Sequence, residues 1–566
     1  MTMKQQTITM LWQSIRPLMR SMRHGTGGRI CQRKLQLLIS GAEIWRKEVR
    51  IVAGLALINN VATQKKTIGT FGGINENEVI NENEFAEMKN MSSDLYPAIG
   101  PRPARGEVIA KLQKPNGTHY NNGLIWVDGT DFYYKGNLVG TVEDSEKQMV
   151  SMGAYVLVWP DKRIYNTSTG EWKSVEKSWT QSAQATIGPT VSASTFIKIK
   201  CSGIGTEFAQ GDGVEISGCT NSGMNKSAVI QSRDTDYIVV IGDVEKEFTQ
   251  DSGLTIKRKA PDMDFMTELD NRVWGCSSKN HEVYACKLGD PCNWNCFEGI
   301  STDAYAATIG SDGDFTGAAT HLGYVLFFKE SMIHKVYGSK PSNIQINSYP
   351  ARGVKKGCSR SLAIVNATLM YASCDGICGY DGGMPYLISQ NIQNGYTGAA
   401  GGVCRGKYYV SLERLGGSSL YVYDAEKSLW HKEDGTVLKM PTAGANELYF
   451  LDADGQIRPV CSDQKESKIQ WMLESGDLLD GSLDKKRLHS LQFLLDLERG
   501  SCIEVYLKYD EEPLWTRLKT FTALTKQTFR ISVRPRRCNH YRYKLVGVGP
   551  GKLYGFGKTY TVGSGR

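Results

Sequence analysis

Apolar and polar positions along this chain alternate with the two-residue period of strands. Residues 401–435 make one complete unit of it. Gly406-Lys-Tyr-Tyr-Val-Ser-Leu412 alternates, Gly416-Gly417 turns, Ser418-Ser-Leu-Tyr-Val-Tyr-Asp424 returns, and Leu429-Trp-His-Lys-Glu-Asp434 closes the unit. Short aromatic and β-branched runs bounded by Gly, Asp and Ser predict antiparallel strands. Tyr423-Asp424 precedes Trp430 with a Tyr-to-Trp spacing of seven, and Tyr165-Asn166 precedes Trp172 with the same spacing. A strand that ends in a Tyr-Asp/Asn turn and restarts at Trp predicts a repeated sheet.

The same grammar recurs at residues 124–142, 155–172, 271–286, 323–338, 369–380 and 446–457, which with 401–435 gives seven hairpin-centred units. Centres near residues 325, 370, 409 and 449 are spaced about 40 to 50 residues apart, the period of a four-stranded blade. The expected architecture is all-β, a six- or seven-bladed β-propeller. Its blades occupy residues 106–178 and 262–465. The gap between the second and third units is too long by about 75 to 80 residues. It is filled at 179–261 by five further strand patterns, which predict a small β-barrel projecting between two blades. Residues 67–105 hold Pro97, Pro101 and Pro103, which force an extended path. They read as a surface-hugging strap with one helical turn at 84–89. After Cys461 the strands lengthen, and 466–566 predicts a two-sheet β-sandwich.

Composition fits this reading. Sixty glycines and 27 tyrosines favour turns and strands, and 566 residues exceed one hydrophobic core. The longest early apolar run, residues 51–58, is far short of the roughly 18 needed to cross a bilayer. No signal-peptide pattern opens the chain. Fourteen scattered cysteines suit free, buried thiols in a reducing compartment. The net charge of +8 is uneven: residues 1–66 carry twelve Lys/Arg against two Glu, so the remaining body is near neutral. That leader reads as disordered, or as an upstream extension from an early start codon; the alternative is a basic arm for nucleic acid or an acidic surface.

Catalytic signatures are scarce. There is no Gly-x-Ser-x-Gly, no phosphate-binding P-loop and no His-Glu-x-x-His, and histidines number eight. Asp262, Asp264, Asp312 and Asp314 are the available carboxylates for propeller glycosidase chemistry. Carboxylates flanked by Gly or Ser, as at Ser311-Asp-Gly-Asp314, read as turn-formers. Cys286, Cys292 and Cys296 with His281 offer a zinc set, but their gaps are not the usual tight pairs, and buried thiols are the preferred reading. Asp452-x-Asp454-Gly455 lacks the downstream Glu of a calcium loop and reads as a hairpin turn. No catalytic, cofactor-binding or metal-binding residue is assigned. Lys485, Lys486, Arg487, Arg534, Arg536, Arg537 and Arg542 form a basic group in the last domain. It reads equally as a contact for DNA or an acidic neighbour and as a charged sheet edge that bars strand addition.

Several stretches resemble a known family. They are Thr70-Phe-Gly-Gly-Ile-Asn-Glu-Asn77, residues 84–97 with Pro101-Arg102, the Trp274-Gly-Cys to Asn293-Trp294 run, Ser311-Asp-Gly-Asp-Phe-Thr-Gly317, Phe327-Phe-Lys-Glu330, His334-Lys-Val-Tyr-Gly-Ser339 and Ile531-Ser-Val-Arg-Pro-Arg-Arg537. Over residues 67–566 the chain is similar to tailed-bacteriophage packaged-DNA stabilization proteins, also called tail accessory factors of the neck. The resemblance implies a non-enzymatic virion protein with a β-propeller and a β-sandwich. It implies assembly as a homo-oligomeric ring beneath the portal, with portal, adaptor or tail components as partners. Packaged DNA is a further contact, and no membrane or cofactor is expected. Such a protein assembles in the host cytoplasm and resides in the virion neck or tail. The alternatives are a tail-associated propeller recognising host glycan, and an enzyme degrading surface polysaccharide.

Overall fold

The computed structural model describes residues 62–563, apart from 193, 445, 465 and 467. The reading of the leader therefore falls largely on residues 1–61, outside the described residues. Seven four-stranded antiparallel sheets follow one another around an axis as a seven-bladed β-propeller. Blades 1 to 6 begin at Pro115, Gln148, Phe265, Gly317, Ala363 and Gly398 and are each continuous in sequence. Blade 7 is not. Its strands Lys439–Ala443, Leu448–Leu451 and Gln456–Pro459 are completed by Ala110–Lys111, from before blade 1. The ring is thus closed by hydrogen bonds between the two ends of the propeller segment.

The Tyr-to-Trp spacing is the cross-strand pair between the third and fourth strands. Tyr423 lies opposite Trp430 with ring centroids 4.9 Å apart, and Tyr165 lies opposite Trp172 at 6.4 Å. What sequence reading missed is the innermost strand of each blade. In blade 6 that strand is Gly398-Ala-Ala-Gly-Gly-Val-Cys404, with little strand propensity. Its glycines are there for packing: a Cβ on Gly401 would sit 2.4 Å from the Tyr409 carbonyl, and one on Gly402 2.4 Å from Leu448.

Between blades 2 and 3, eight strands from Lys177 to Arg258 form one ladder around a core that includes Ile187, Ile199, Val214, Ile230, Val240 and Ile256. Gln181 bridges its two border strands by donating to the Gln250 carbonyl at 2.6 Å. This barrel leaves from the end of a fourth strand, whereas the chain leaves blade 7 from the end of a third. Successive strands in a blade are antiparallel, so the chain departs for the barrel and for the C-terminal domain from opposite strand ends.

The C-terminal domain differs from the expected sandwich: it is one continuous eight-stranded sheet. Lys486–Tyr509, 24 residues long, pairs along one side first with Gly551–Val562 and then with Tyr541–Val548. Both partners break near residues 498–501 and 549–550, so the sheet bends there and folds over its own core. Across the bend Tyr543 meets Phe493 at 5.7 Å and Phe556 at 4.3 Å, Phe493 and Phe556 being cross-strand partners. Hydrophobic alternation carries no mark of whether two facing sheets share strands.

The strap also departs from expectation. Residues 84–89 are not helical: Phe85–Lys89 is a strand of the C-terminal sheet, and Gln64–Ile68 is another. Phe71, Ile74, Phe85, Met88, Met91 and Ile99 are buried in the largest core, shared with blades 4 to 6. Ile74 N donates to the Trp430 carbonyl at 2.8 Å, and a Cβ on Gly73 would lie 2.2 Å from that oxygen. At the strap's end, Arg105 Nη2 lies 2.7 Å from Glu433 Oε2 and 3.2 Å from Asp434 Oδ2, and Arg102 Nη2 lies 3.3 Å from Asp434 Oδ2. Glu433 is buried, and burial pushes its carboxyl pKa up against the pull of Arg105 and Arg102. Removing one partner of such a buried group strands the other charge. Arg105→Ala is therefore expected to destabilise the protein by about 3 kcal/mol, read as a lowered denaturation midpoint.

Candidate functional site

The innermost strands enclose an axial cavity of about 300 Å³, lined by residues of blades 1, 2, 3, 4, 5 and 7. Its polar groups are mostly satisfied by each other or by residues beside the wall. Thr118 Oγ1 lies 2.7 Å from Thr442 Oγ1, His119 Nε2 lies 2.7 Å from Ser151 Oγ, and Arg360 Nη2 lies 2.6 Å from Glu146 Oε1. Lys147 lines the wall but is buried against Asp161 at 2.5 Å. No Asp or Glu is among the lining residues. The cavity has the size and polarity to hold water or a small polar group.

The four carboxylates singled out in the sequence stand apart from that cavity. Asp262 pairs with Lys162 at 2.9 Å, Asp314 pairs with Lys356 at 2.8 Å, and Asp264 accepts from Ser278 N at 2.6 Å. Asp312 belongs to the loop between blades 3 and 4, where three of the family-like motifs converge. Buried Lys329 donates to the Ser311 carbonyl at 2.6 Å and sits 4.8 Å from the Phe315 ring centroid. His334 Nε2 meets Ser311 Oγ at 3.1 Å while its Nδ1 meets Ser348 Oγ at 2.7 Å. These motifs pin one loop of blade 4.

The cysteine set does not assemble a zinc site. Cys286 Sγ accepts from Val273 N at 3.1 Å, and Cys292 is packed in the core between blades 2 and 3. Burial pushes the thiols up, to about 12 for Cys286 and about 11 for Cys292 and Cys296. Among the described residues, the one grouping of three or more possible ligand atoms is Cys296, Glu298 and Asp303. There Asp303 Oδ2 already accepts three backbone N–H groups, from Glu298, Gly299 and Ile300, at 2.6, 2.6 and 3.1 Å. The surrounding loop has another duty. Buried Asn293 donates to the Gly211 carbonyl at 2.6 Å and accepts from Gly213 N at 2.9 Å, which fastens the barrel to blade 3.

The seven basic residues divide. Arg487 and Arg537 are cross-strand partners, and with Lys485 and Arg534 they are exposed at one end of the bent sheet. Arg536 is exposed and ion-paired with Glu512. Arg542 is half-buried and held by Asp477 at 2.5 Å. Lys486 is not on the surface: as the inward member of the alternation it is buried and donates to the Leu479 and Ser482 carbonyls. The near-neutral body conceals a segregation that follows the fold. Residues 485–563 hold sixteen Lys/Arg against six Asp/Glu, and residues 67–484 hold 38 against 51. The boundary of the last domain had to be known before this imbalance was visible.

Among the described residues no helix is long and apolar enough to cross a membrane. No family model and no curated protein matches the chain. Solved structures that it resembles include a phage phi92 endosialidase, 11% identical over 66% of this chain and 56% of that one, with a TM-score of 0.16. A Pyrococcus horikoshii acylaminoacyl peptidase is 10% identical over 65% and 58%, with a TM-score of 0.25. An exo-β-1,3-galactanase from Phanerochaete chrysosporium is 8% identical over 81% and 100%, with a TM-score of 0.20. The chain thus spans a little over half the length of the first two. Likenesses this weak carry no argument about what the chain does.

The buried histidines make stability depend on pH. Burial, reinforced by Lys329, lowers the His334 pKa to about 4, and burial alone lowers that of His119 to about 4. Both are neutral when folded, while the unfolded chain takes up protons below about 6.5. Their contribution is therefore present above that pH and lost as pH falls toward 4. For His334 the loss is of order 2–3 kcal/mol. In thermal melts from pH 7 to 4, His334→Gln is expected to flatten the decline measurably.

Proposed function

We propose that the chain is a non-catalytic structural protein of a bacteriophage virion. In this reading it belongs to the head–tail neck or the tail, as part of a ring that stabilises packaged DNA and joins tail components. One observation carries the reading: the residues in which the family likeness is written are joints. Gly73 and Ile74 seat the strap on blade 6, Asn293 fastens the barrel, and Lys329 with His334 locks a blade 4 loop. Residues placed this way stiffen a composite body and leave its outgrowths to meet other proteins. Closure spares a propeller long open sheet edges, so contacts fall to its loops and appended domains.

A glycan-binding tail propeller is the second reading. It is favoured by Tyr120, which lines the axial cavity and stacks on Tyr449 at 6.1 Å. Gold-labelled antibody on intact particles separates the two, at the neck for the first and at the distal tip for the second. Particles assembled without the protein are expected to lose DNA or tails, and full infectivity without it would sink the structural reading. If packaged DNA is touched, the exposed basic end is the place. Replacing Arg487, Arg534 and Arg537 by Gln should then flatten the slope of log affinity against log salt for duplex DNA by about 2 to 3. An unchanged slope would remove DNA from that surface.

A further inference from the structure

The bent sheet leaves one long border open. Thr516–Ser532 pairs along one side with Lys486–Tyr509, and among the described residues no strand pairs with its other side. Seventeen residues at about 3.3 Å each expose a border roughly 55 Å in contour, bent and shifted in register where its partner Lys486–Tyr509 bends. The outermost strands of the seven blades are two to six residues long. Short edges are one protection against strand addition, and this strand lacks it; what guards it is its positive charge and the register shifts in its pairing with Lys486–Tyr509.

The chemistry of the border is one-sided. It carries Arg517, Lys519, Lys526 and Arg530 and no Asp or Glu. Arg517 is paired to Glu504 of the neighbouring strand, and Lys526 lies 3.8 Å over the Tyr554 ring. Phe521 and Ile531 of the same strand are buried in the domain core, so the strand is held rigidly by one face. The sheet's other borders are Gln64–Ile68, which carries Lys65 and Lys66, and the shorter Phe85–Lys89, which carries Glu87 and Lys89. Like charges brought opposite each other across a strand pair are destabilising, so two copies are discouraged from joining border to border.

We propose that Thr516–Ser532 is a strand-addition site that receives an extended, carboxylate-rich segment of another protein. The segment would pair through main-chain hydrogen bonds and set its carboxylates against Lys519, Lys526 and Arg530. This goes beyond the proposed function and does not depend on it.

The test uses the full chain with two synthetic twelve-residue probes, (Thr-Glu-Val-Glu)₃ and its lysine counterpart (Thr-Lys-Val-Lys)₃. Backbone hydrogen exchange is followed by mass spectrometry. The glutamate probe is expected to slow exchange within residues 516–532, and the lysine probe is expected to leave it unchanged. Lys526 and Arg530 are exposed, so Lys526→Glu with Arg530→Glu should keep the fold, verified by unaltered exchange in Lys407–Arg414. That variant is expected to weaken glutamate-probe binding about tenfold or more. Val533 N bonds inward to the His489 carbonyl, so alternation turns the Thr528 N–H outward, and Thr528→Pro should weaken binding without breaking the existing ladder. Failure of the glutamate probe to protect this strand overturns the proposal. So does equal protection by the lysine probe, or binding indifferent to the charge reversal.

Discussion

Two arginines from the strap meet two carboxylates after the last strand of blade 6, with Arg102 and Glu433 buried and Arg105 and Asp434 half-buried, and the rest of the assembly is arranged around that seam. Arg102 and Arg105 arrive from one end of the chain, Glu433 and Asp434 from three-quarters of the way along it. A buried ionic group of this kind contributes little net stability relative to an apolar replacement, but it tolerates no missing member. Its value here is registration. It fixes the strap against blade 6, which places Ala110–Lys111 where blade 7 needs its fourth strand, and Phe85–Lys89 where the C-terminal sheet needs a border.

That arrangement ties three bodies through one segment. The main core runs without interruption from Phe71 through Tyr371 and Trp430 to Leu545, across propeller, strap and sheet. The barrel is different: its core is separate, and it is held at its base by Asn293 and by Arg258, whose Nε donates to the Val175 carbonyl at 3.1 Å. The structure therefore combines one large rigid unit with one satellite whose stability is largely its own.

Much of the fold was legible from alternation alone. The central hairpins of all seven blades, the barrel insertion and the Tyr-to-Trp pairs were written in runs such as Tyr155-Val-Leu-Val-Trp159. The innermost strands were not: Gly398–Cys404 and Gly317–His321 are rich in Gly and Ala, which carry little strand signal, and Gln148–Met152 and Phe265–Leu269 mix Met with polar residues. The strap misled for another reason. Its prolines announced an extended path correctly, but a non-periodic segment gives no sign that Phe71 and Ile74 enter a core supplied by residues hundreds of positions away. The candidate basic group was legible as composition and not as geometry. Lys485, Lys486 and Arg487 are neighbours in sequence, yet strand pleating turns the middle one inward.

The parity of strands within a blade has a final implication. Because the barrel departs after a fourth strand and the sheet after a third, the chain reaches its two appended domains from opposite strand ends of a closed ring. Ligands engaged by both domains would be carried on one chain, so the second binding event becomes intramolecular and weak individual contacts add up to a durable link.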